Sequence, residues 1–133
     1  MKYLLDTNIC IYLIKQKSEK IVNKIKEFDI EELCISSITV AELEYGIQKS
    51  YYTERNKLAL IEFLVPFKIL DYNHAAAVDY GKIRADLERE GRIIGPLDLL
   101  IASHARANGL IIVTNNEKEF CRVKGLEVEN WAK

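Results

Sequence analysis

Short apolar runs alternate along this chain with stretches whose apolar residues recur at helical spacing, and this alternation constrains the fold most. The apolar runs that predict strands are Lys2–Leu5, Leu33–Ser36, Phe67–Leu70, Leu110–Val113 and Leu126–Val128. The run that ends at Val113 is almost wholly apolar, as is typical of a buried parallel strand. Strands that alternate with helices predict an α/β fold in three layers, a central, mainly parallel sheet with helices on both faces.

Residues that cap or stop helices mark the segments between the strands. Asn73 is placed to cap a long helix that ends at Gly91, and Gly95-Pro96 opens a helix that closes at Gly109. Four other helices are predicted over Thr7–Lys15, Ser18–Phe28, Thr53–Leu64 and Asn115–Phe120. A further helix follows the cap-rich stretch Ser36-Ser37-Ile38-Thr39, has Val40, Leu43 and Ile47 on its apolar stripe, and runs to about Lys49.

Length and charge narrow the class of protein. A chain of 133 residues has room for one domain, and 19 basic against 20 acidic residues leave a net charge of -1. A uniformly basic nucleic-acid-binding coat is therefore excluded, although a local basic patch is not. No signal peptide or membrane span is predicted, so we expect a cytoplasmic protein without a membrane partner.

Three cysteines, Cys10, Cys34 and Cys121, cannot all pair within one chain, and none forms a Cys-x-x-Cys motif. They predict small buried thiols in a reducing compartment.

Acidic residues stand where the predicted strands end. Asp6 follows the first strand, Glu42 lies shortly after the second, and Glu119 lies one helical turn beyond Thr114-Asn115-Asn116, which follow the strand ending at Val113. Asp98 lies in the first turn of the helix that Gly95-Pro96 opens. Ligands of a parallel sheet bind beyond the carboxyl ends of its strands, so these four acids are candidate site residues.

Each acid also has an ordinary structural explanation. Asp6 fits an Asx turn or a helix cap, and Asp98 is favoured in a first turn by the helix dipole. Thr39-x-x-Glu42 fits a capping box, and Asn116-x-x-Glu119 fits a second cap with its glutamate. Both explanations stay open when each residue is taken singly.

Taken together, the four acids predict a metal site. Several carboxylates on one edge of the sheet, with no basic residue beside them in the sequence, repel one another unless a cation joins them. The candidate ligands are oxygen atoms, with no Cys or His cluster, so the expected ion is Mg²⁺ or Mn²⁺. Such ions take substrate phosphate as a ligand and serve in phosphodiester hydrolysis.

The same residues carry a family resemblance over essentially the whole chain. Leu4-Leu5-Asp6-Thr7-Asn8, Ser37 to Leu43, Gly95-Pro96-Leu97-Asp98 and Val113 to Asn116 with Glu119-Phe120 occur in the order and spacing of PIN-domain ribonucleases. The chain most resembles the VapC toxins of VapBC toxin–antitoxin pairs. The resemblance implies a single PIN domain over residues 1–133 that acts as a metal-dependent endoribonuclease.

Residue by residue, the resemblance implies that Asp6, Glu42, Asp98 and Glu119 are catalytic. Asp6 and Asp98 would hold Mg²⁺, for which Mn²⁺ could substitute, while Glu42 and Glu119 could hold a second ion or orient the attacking water. Many PIN proteins have an aspartate near the position of Asn116, so this chain departs from the family pattern at the second metal site. The implied supporting residues are Asn8, Thr114 and Asn116.

The implied partners follow from the same resemblance. They are a cognate VapB-like antitoxin that lies across the acidic edge, an RNA substrate and a second copy of the chain in a homodimer. Operator DNA would be bound through the antitoxin. The RNA target is expected to be tRNA, with the initiator tRNA anticodon stem-loop as the specific hypothesis.

Two other functions remain open on sequence grounds. One is a catalytically silent PIN-like module that binds protein or RNA and keeps its acids as caps. The other is a different Mg²⁺-dependent phosphohydrolase or phospho-receiver with Asp6 as acceptor, which Asn8 and Thr114-Asn115-Asn116 fit poorly.

Other polar and aromatic residues are predicted to have structural roles. His104 lies on the apolar stripe of its helix and is expected to be packed or hydrogen-bonded. Glu44, Asp71, Asp79 and Asp86 are expected to be solvated charges. Three tyrosines could instead stack RNA bases, namely Tyr45, Tyr51 and Tyr52. Aromatic residues at helix ends are, however, more often packed against the protein.

Overall fold

The fold is described here from a computed structural model that covers residues 2–133. In this range the strands are β1 (Tyr3–Leu5), β2 (Leu33–Ser36), β3 (Lys68–Leu70), β4 (Ile111–Val113) and β5 (Val128–Glu129). The helices are α1 (Thr7–Lys15), α2 (Glu19–Ile25), α3 (Ser37–Gln48), α4 (Thr53–Leu64), α5 (His74–Arg89), α6 (Pro96–Ala107) and α7 (Glu117–Phe120). A short 3₁₀ turn covers Ile30–Glu32.

The five strands form one sheet in the order β3-β2-β1-β4-β5, and every neighbouring pair is parallel. β1 is the central strand, with Leu4 opposite Cys34 of β2 and Ile112 of β4. The prediction of a parallel α/β sheet is confirmed. All five strands therefore direct their carboxyl ends to one edge.

Two cores lie on opposite faces of the sheet because successive strand residues point to opposite sides. Tyr3 and Leu5 pack with residues of α1 to α4, such as Ile9 and Leu43, and with Trp131. Leu4 packs on the other face with residues of α5, α6 and α7. The result is the predicted three-layer arrangement, and the helices that follow β1 and β2 lie on one face while α6 lies on the other.

Several predicted boundaries shift by a few residues. α2 ends at Ile25, three residues before Phe28, and the last strand begins at Val128, two residues after Leu126. The two glycine stops are confirmed, since Gly91 and Gly109 both have φ of 66°, in the left-handed region.

Two predictions about single residues are wrong. Asp79 is not a solvated charge, because Arg106 binds it with two hydrogen bonds, from Nε at 2.8 Å and from the terminal nitrogen Nη2 at 2.7 Å, in a mostly buried pair between α5 and α6. Cys10 and Cys34 are buried as expected, but Cys121 is exposed. Asp71, by contrast, is exposed as predicted for a solvated charge, although it directly follows β3.

None of the helices within residues 2–133 combines the length and the apolar character that crossing a membrane requires.

Candidate active site

Asp6 follows β1 directly and lies at the carboxyl edge in the middle of the sheet. It is the cap of α1, since its Oδ1 accepts a hydrogen bond from the Ile9 amide at 3.0 Å. Its other oxygen, Oδ2, accepts a short hydrogen bond from the Thr114 hydroxyl, beyond the end of β4. The predicted capping role is therefore confirmed, and the same carboxylate also joins two neighbouring strand ends.

Asp6 is a buried carboxylate, only 5% exposed. Burial raises its pKa above the ordinary value, an effect that the Thr114 hydroxyl and the amides of Ile9 and Asn8 oppose and that the charge of Glu42 reinforces. Buried charge of this kind is costly without a partner of opposite sign.

Glu42 lies on α3 and is held by Thr7 at the start of α1. The Thr7 hydroxyl donates to Glu42 Oε1 at 2.9 Å and is hydrogen-bonded to the hydroxyl of Thr39 at 3.1 Å. The predicted capping box of Thr39 and Glu42 is wrong. α3 is capped by Ser36, whose Oγ accepts from the Ile38 amide, so Thr39 is buried inside the helix and Glu42 has no cap amide to accept from.

Asp98 and Glu119 meet beside Asn116. The Asn116 side-chain nitrogen donates to Glu119 Oε2 at 2.7 Å and to Asp98 Oδ2 at 3.3 Å. Asn116 precedes α7, but its side chain makes no capping hydrogen bond there. The predicted cap at Asn116 is therefore wrong, and this side chain holds two carboxylates of the cluster instead.

Below about pH 7, Asp98 and Glu119 carry one proton between them. The pKa of Asp98 is raised to about 7 by burial, by its hydrogen bond to Glu119 and by the charges of Glu119, Asp6 and Glu42. The pKa of Glu119 is lowered, because Asp98 and Asn116 donate hydrogen bonds to its carboxylate. The proton thus lies on Asp98, and all four acids contribute to one electrostatic cluster.

The basic side chains in residues 2–133 do not neutralise this cluster with ion pairs, since every ion pair there lies elsewhere. An all-oxygen donor set with unbalanced negative charge fits a hard divalent cation. Within the same residues, however, no three acidic, imidazole or thiol groups stand close enough together to hold a metal ion as they are. The match between these residues and a divalent cation therefore rests on the chemistry of the donor atoms.

The three predicted supporting residues lie at different distances from the acids. Thr114 contacts Asp6, and its hydroxyl also accepts a hydrogen bond from the Asn116 amide at 2.9 Å. Asn8 is exposed and contributes its backbone amide to Asp6, while within residues 2–133 its side chain has no hydrogen-bond partner.

Sequence reasoning missed two connections that position the acids. The sequence predicts Thr7 only as the start of a helix, whereas its hydroxyl donates a hydrogen bond to Glu42. The other is a buried hydrogen bond of 2.8 Å between His104 Nδ1 on α6 and Ser36 Oγ at the start of α3. It joins the helix that carries Asp98 to the helix that carries Glu42, and the prediction of a packed or hydrogen-bonded His104 is confirmed.

Comparison with known proteins agrees with the parallel α/β fold. The PIN domain family model matches residues 3–126. The chain is similar to the tRNA(fMet)-specific endonuclease VapC of Shigella flexneri, with 51% identity over 135 residues and 99% of each chain covered.

Solved structures of similar proteins have the same fold. A DNA-bound VapBC complex of Salmonella typhimurium matches with a TM-score of 0.93 and 45% identity, over 98% of both chains. A VapBC2 complex of Rickettsia felis, bound to a promoter DNA fragment, matches with a TM-score of 0.92 and 44% identity, over 98% of this chain and 99% of that one.

Proposed function

The chain belongs to the PIN-domain family, and within it to the VapC ribonucleases, and from this premise we propose that it is the toxin of a toxin–antitoxin pair. Its activity is that of an endoribonuclease that hydrolyses RNA phosphodiester bonds with a divalent metal, Mg²⁺ in the cell and Mn²⁺ as a substitute. The unit that carries this activity is one PIN domain over residues 1–133.

The observation that carries the proposal is the carboxylate cluster at the edge of the sheet. Asp6, Glu42, Asp98 and Glu119 come from four separate elements, and each raises or lowers the pKa of another. A capping role alone explains Asp6 but leaves Glu42 and Glu119 unexplained, because neither caps a helix.

The residues of the cluster have different proposed roles, according to their positions. Asp6 and Asp98 are the ligands we propose for Mg²⁺, and Glu42 and Glu119 orient the attacking water or hold a second ion. A divalent ion held by these residues would supply Lewis-acid chemistry, polarising the phosphate and making a bound water a stronger acid. Thr114, Thr7 and Asn116 keep the carboxylates in place through the hydrogen bonds described above. Asn8 orients the first turn of α1 through its amide.

The substrate we propose is tRNA, with cleavage in the anticodon stem-loop of the initiator tRNA. The relative from Shigella flexneri, which is named a tRNA(fMet)-specific endonuclease, supports this assignment over nearly the whole chain. We infer that the protein acts in the cytoplasm, where this RNA is found. The free thiols of Cys10, Cys34 and Cys121 agree with a reducing compartment.

The protein partner we propose is a VapB-like antitoxin, since the similar solved structures are VapBC complexes. A groove beside the cluster supports this partner. It has a volume of about 390 Å³, is lined mainly by apolar residues of α1, α3 and α4 such as Ile14, Ile47 and Leu60, and has Glu42 on its wall. Such a groove fits the apolar face of a helix. Operator DNA would be bound through the antitoxin, because this chain has no net positive charge.

We also propose that the chain forms a homodimer. An exposed apolar stripe along α4 and the residue that follows it supports this, since Leu58 and Ile61 lie three residues apart and Val65 follows four residues after Ile61. Patches of this kind mark interaction surfaces in soluble proteins. Sedimentation of the antitoxin-free protein tests it, and a monomer at every concentration would contradict it.

The test of the proposed function is cleavage of a tRNA pool by the purified, antitoxin-free protein in Mg²⁺, in Mn²⁺ and in EDTA, with the cut sites mapped by sequencing. We expect one discrete cut in the initiator tRNA anticodon stem-loop, abolished by EDTA. A discrete cut in another RNA would overturn the target and leave the activity. Folded protein that cuts no RNA would favour the catalytically silent binding module.

A further inference from the structure

Three tyrosines at and beyond the end of α3 are exposed to solvent and form what we term the tyrosine patch. Tyr45 is 66% exposed, Tyr52 is 63% exposed, and Tyr51, in the segment between α3 and α4, is 100% exposed. Aromatic side chains at helix ends usually pack against the protein. These three do not, so the packing explanation considered for them from the sequence is wrong.

Two cations lie over the rings of the patch. Lys49 Nζ is 5.2 Å from the centre of the Tyr45 ring, and the Arg55 guanidinium carbon is 4.5 Å from the centre of the Tyr52 ring. In residues 2–133 neither cation has an ion-pair partner. Positive charge beside open aromatic rings is the combination that binds single-stranded nucleic acid, because rings stack on bases and cations contact phosphates.

Nearby acidic residues reduce but do not cancel this charge. Glu44 is paired with Lys57, which leaves Lys49 and Arg55 against the exposed Glu54. The patch therefore carries a positive charge locally, although the whole chain has a net charge of -1.

The patch lies on the same helix as one of the catalytic acids. Tyr45 is three residues from Glu42 on α3, a spacing that makes two side chains neighbours on a helix surface. From Glu42 to the end of α3 at Gln48 the helix rises about 9 Å, and Tyr51 and Tyr52 follow directly. A strand of RNA bound at the carboxylate cluster can thus continue along α3 to the patch.

We propose that the tyrosine patch is a stacking surface for unpaired bases of the substrate RNA on one side of the cut, with Lys49 and Arg55 as phosphate contacts. This proposal rests on the proposed ribonuclease function and names the part of the chain that holds single-stranded RNA. Tyr51 is the central contact, because a fully exposed ring offers both faces to bases.

RNA is favoured over a protein partner by the chemistry of the surface. A helix of a protein partner requires an apolar groove, and the groove lined by Leu43, Ile47 and Leu60 includes none of the three tyrosines. The tyrosine patch instead combines separate rings with unpaired cations and contains none of the aliphatic residues of the groove.

The test is the affinity of wild-type protein and tyrosine variants for two probes in EDTA, which prevents metal-dependent cleavage. The probes are a fluorescein-labelled oligoadenylate and an abasic ribose-phosphate chain of the same length. We expect Tyr51→Ala and Tyr52→Ala each to raise the Kd for oligoadenylate about fivefold or more and to leave the Kd for the abasic chain unchanged. Tyr51→Phe should bind as wild type, since stacking needs the ring and not the hydroxyl.

The matched control is Val78→Ala, which trims another exposed apolar side chain, on α5, to which no binding role is assigned, and should change neither Kd. Alanine variants that bind oligoadenylate as wild type would overturn the proposal, and so would an equal loss for both probes. A loss of affinity for the antitoxin with unchanged RNA binding would also overturn it, in favour of a protein contact.

Cleavage assays distinguish a failure of the stacking proposal from a failure of the proposed ribonuclease function. Where the wild type cleaves RNA, the tyrosine variants should raise KM with little change in kcat, because stacking contributes to binding in the ground state and transition state alike. Wild type that binds oligoadenylate through the tyrosines but cleaves no RNA would overturn the nuclease function and support the stacking surface. If the wild type cleaves RNA and the tyrosine variants have an unaltered KM, the nuclease function would be supported and the stacking surface overturned.

Discussion

The hydroxyl of Thr7 donates a hydrogen bond of 2.9 Å to Glu42, 35 residues later in the chain. Asp6, the residue before Thr7, caps α1 and thereby places this hydroxyl at the carboxyl edge of the sheet, facing α3. Among residues 2–133, Glu42 has no other side-chain hydrogen bond. One dipeptide at the end of β1 thus supplies a proposed metal ligand and the group that orients a second acid.

Thr7→Val should reduce kcat for RNA cleavage about tenfold and leave the fold intact. Valine has the shape of threonine but cannot donate a hydrogen bond, so Glu42 would lose its orientation, and losses of this size are typical of residues that hold a metal-site ligand. Single-turnover cleavage at saturating RNA measures the effect. Thr7→Ser keeps the donor and should restore the rate, so equal rates in the valine and wild-type proteins would show that Glu42 needs no such support.

Asn116→Asp should strengthen binding of Mn²⁺ and destabilise the metal-free protein. Asn116 now donates to both Asp98 and Glu119, and an aspartate there would replace those hydrogen bonds with a further negative charge. Calorimetric titration with Mn²⁺ and denaturation in EDTA measure the two effects. Asn116→Ala serves as the control, because it removes the hydrogen bonds without adding charge. Unchanged or weaker Mn²⁺ binding in Asn116→Asp would argue against a cation between these acids.

Asp98→Asn should stabilise the metal-free protein at alkaline pH, by an amount of the order of 1 kcal/mol once solvent screening of this half-buried group is allowed for. Folding raises the pKa of Asp98 from 3.8 to about 7, because burial and Glu119 disfavour its charge. The stability that its proton contributes is fully present below 3.8 and is lost as the pH rises through about 7. Urea denaturation in EDTA at about pH 5 and about pH 8 should show the variant's advantage growing with pH. An advantage independent of pH would contradict the shared proton.

His104→Gln should destabilise the protein less at acidic than at neutral pH. Burial lowers the pKa of His104 below its ordinary value of 6.5, against the opposing effect of Asp71. As the pH falls through 6.5, the unfolded chain takes up a proton that the folded protein resists, so wild-type stability falls while the glutamine variant lacks this effect. Denaturant titrations on both sides of that pH measure the difference. A gap between the two proteins that widens at acidic pH would contradict a buried neutral imidazole.

The sequence was sufficient to predict the layers of the fold and the elements that carry the acids. Apolar runs predict strands because burial on both faces of a parallel sheet requires them, and the residue that follows each run then lies at the sheet edge. Asp6 is the clearest example, since both its cap and its position follow from Leu5 before it and Ile9 after it.

Contacts between distant residues could not be predicted in this way. The Thr39–Glu42 spacing matches a capping box, but the helix begins at Ser37, two residues before Thr39, because Ser36 supplies the cap. Only the fold shows Thr7 beside Glu42. The pair of Asp79 and Arg106 was missed for the same reason. Local patterns report which face of an element is apolar, whereas pairing between polar groups depends on how the elements pack.

The most direct test of the central claim is RNA cleavage by Asp98→Asn and Asp6→Asn beside the wild type, in Mg²⁺ and in EDTA, with each protein shown to be folded and free of antitoxin. Asp86→Asn, a change to an exposed aspartate on α5, is the matched control. We predict metal-dependent cleavage by the wild type and the control and a loss of at least about a hundredfold in both site variants. Cleavage at the wild-type rate by Asp98→Asn or Asp6→Asn, with contaminating nuclease excluded, would contradict the claim that this carboxylate cluster is the active site.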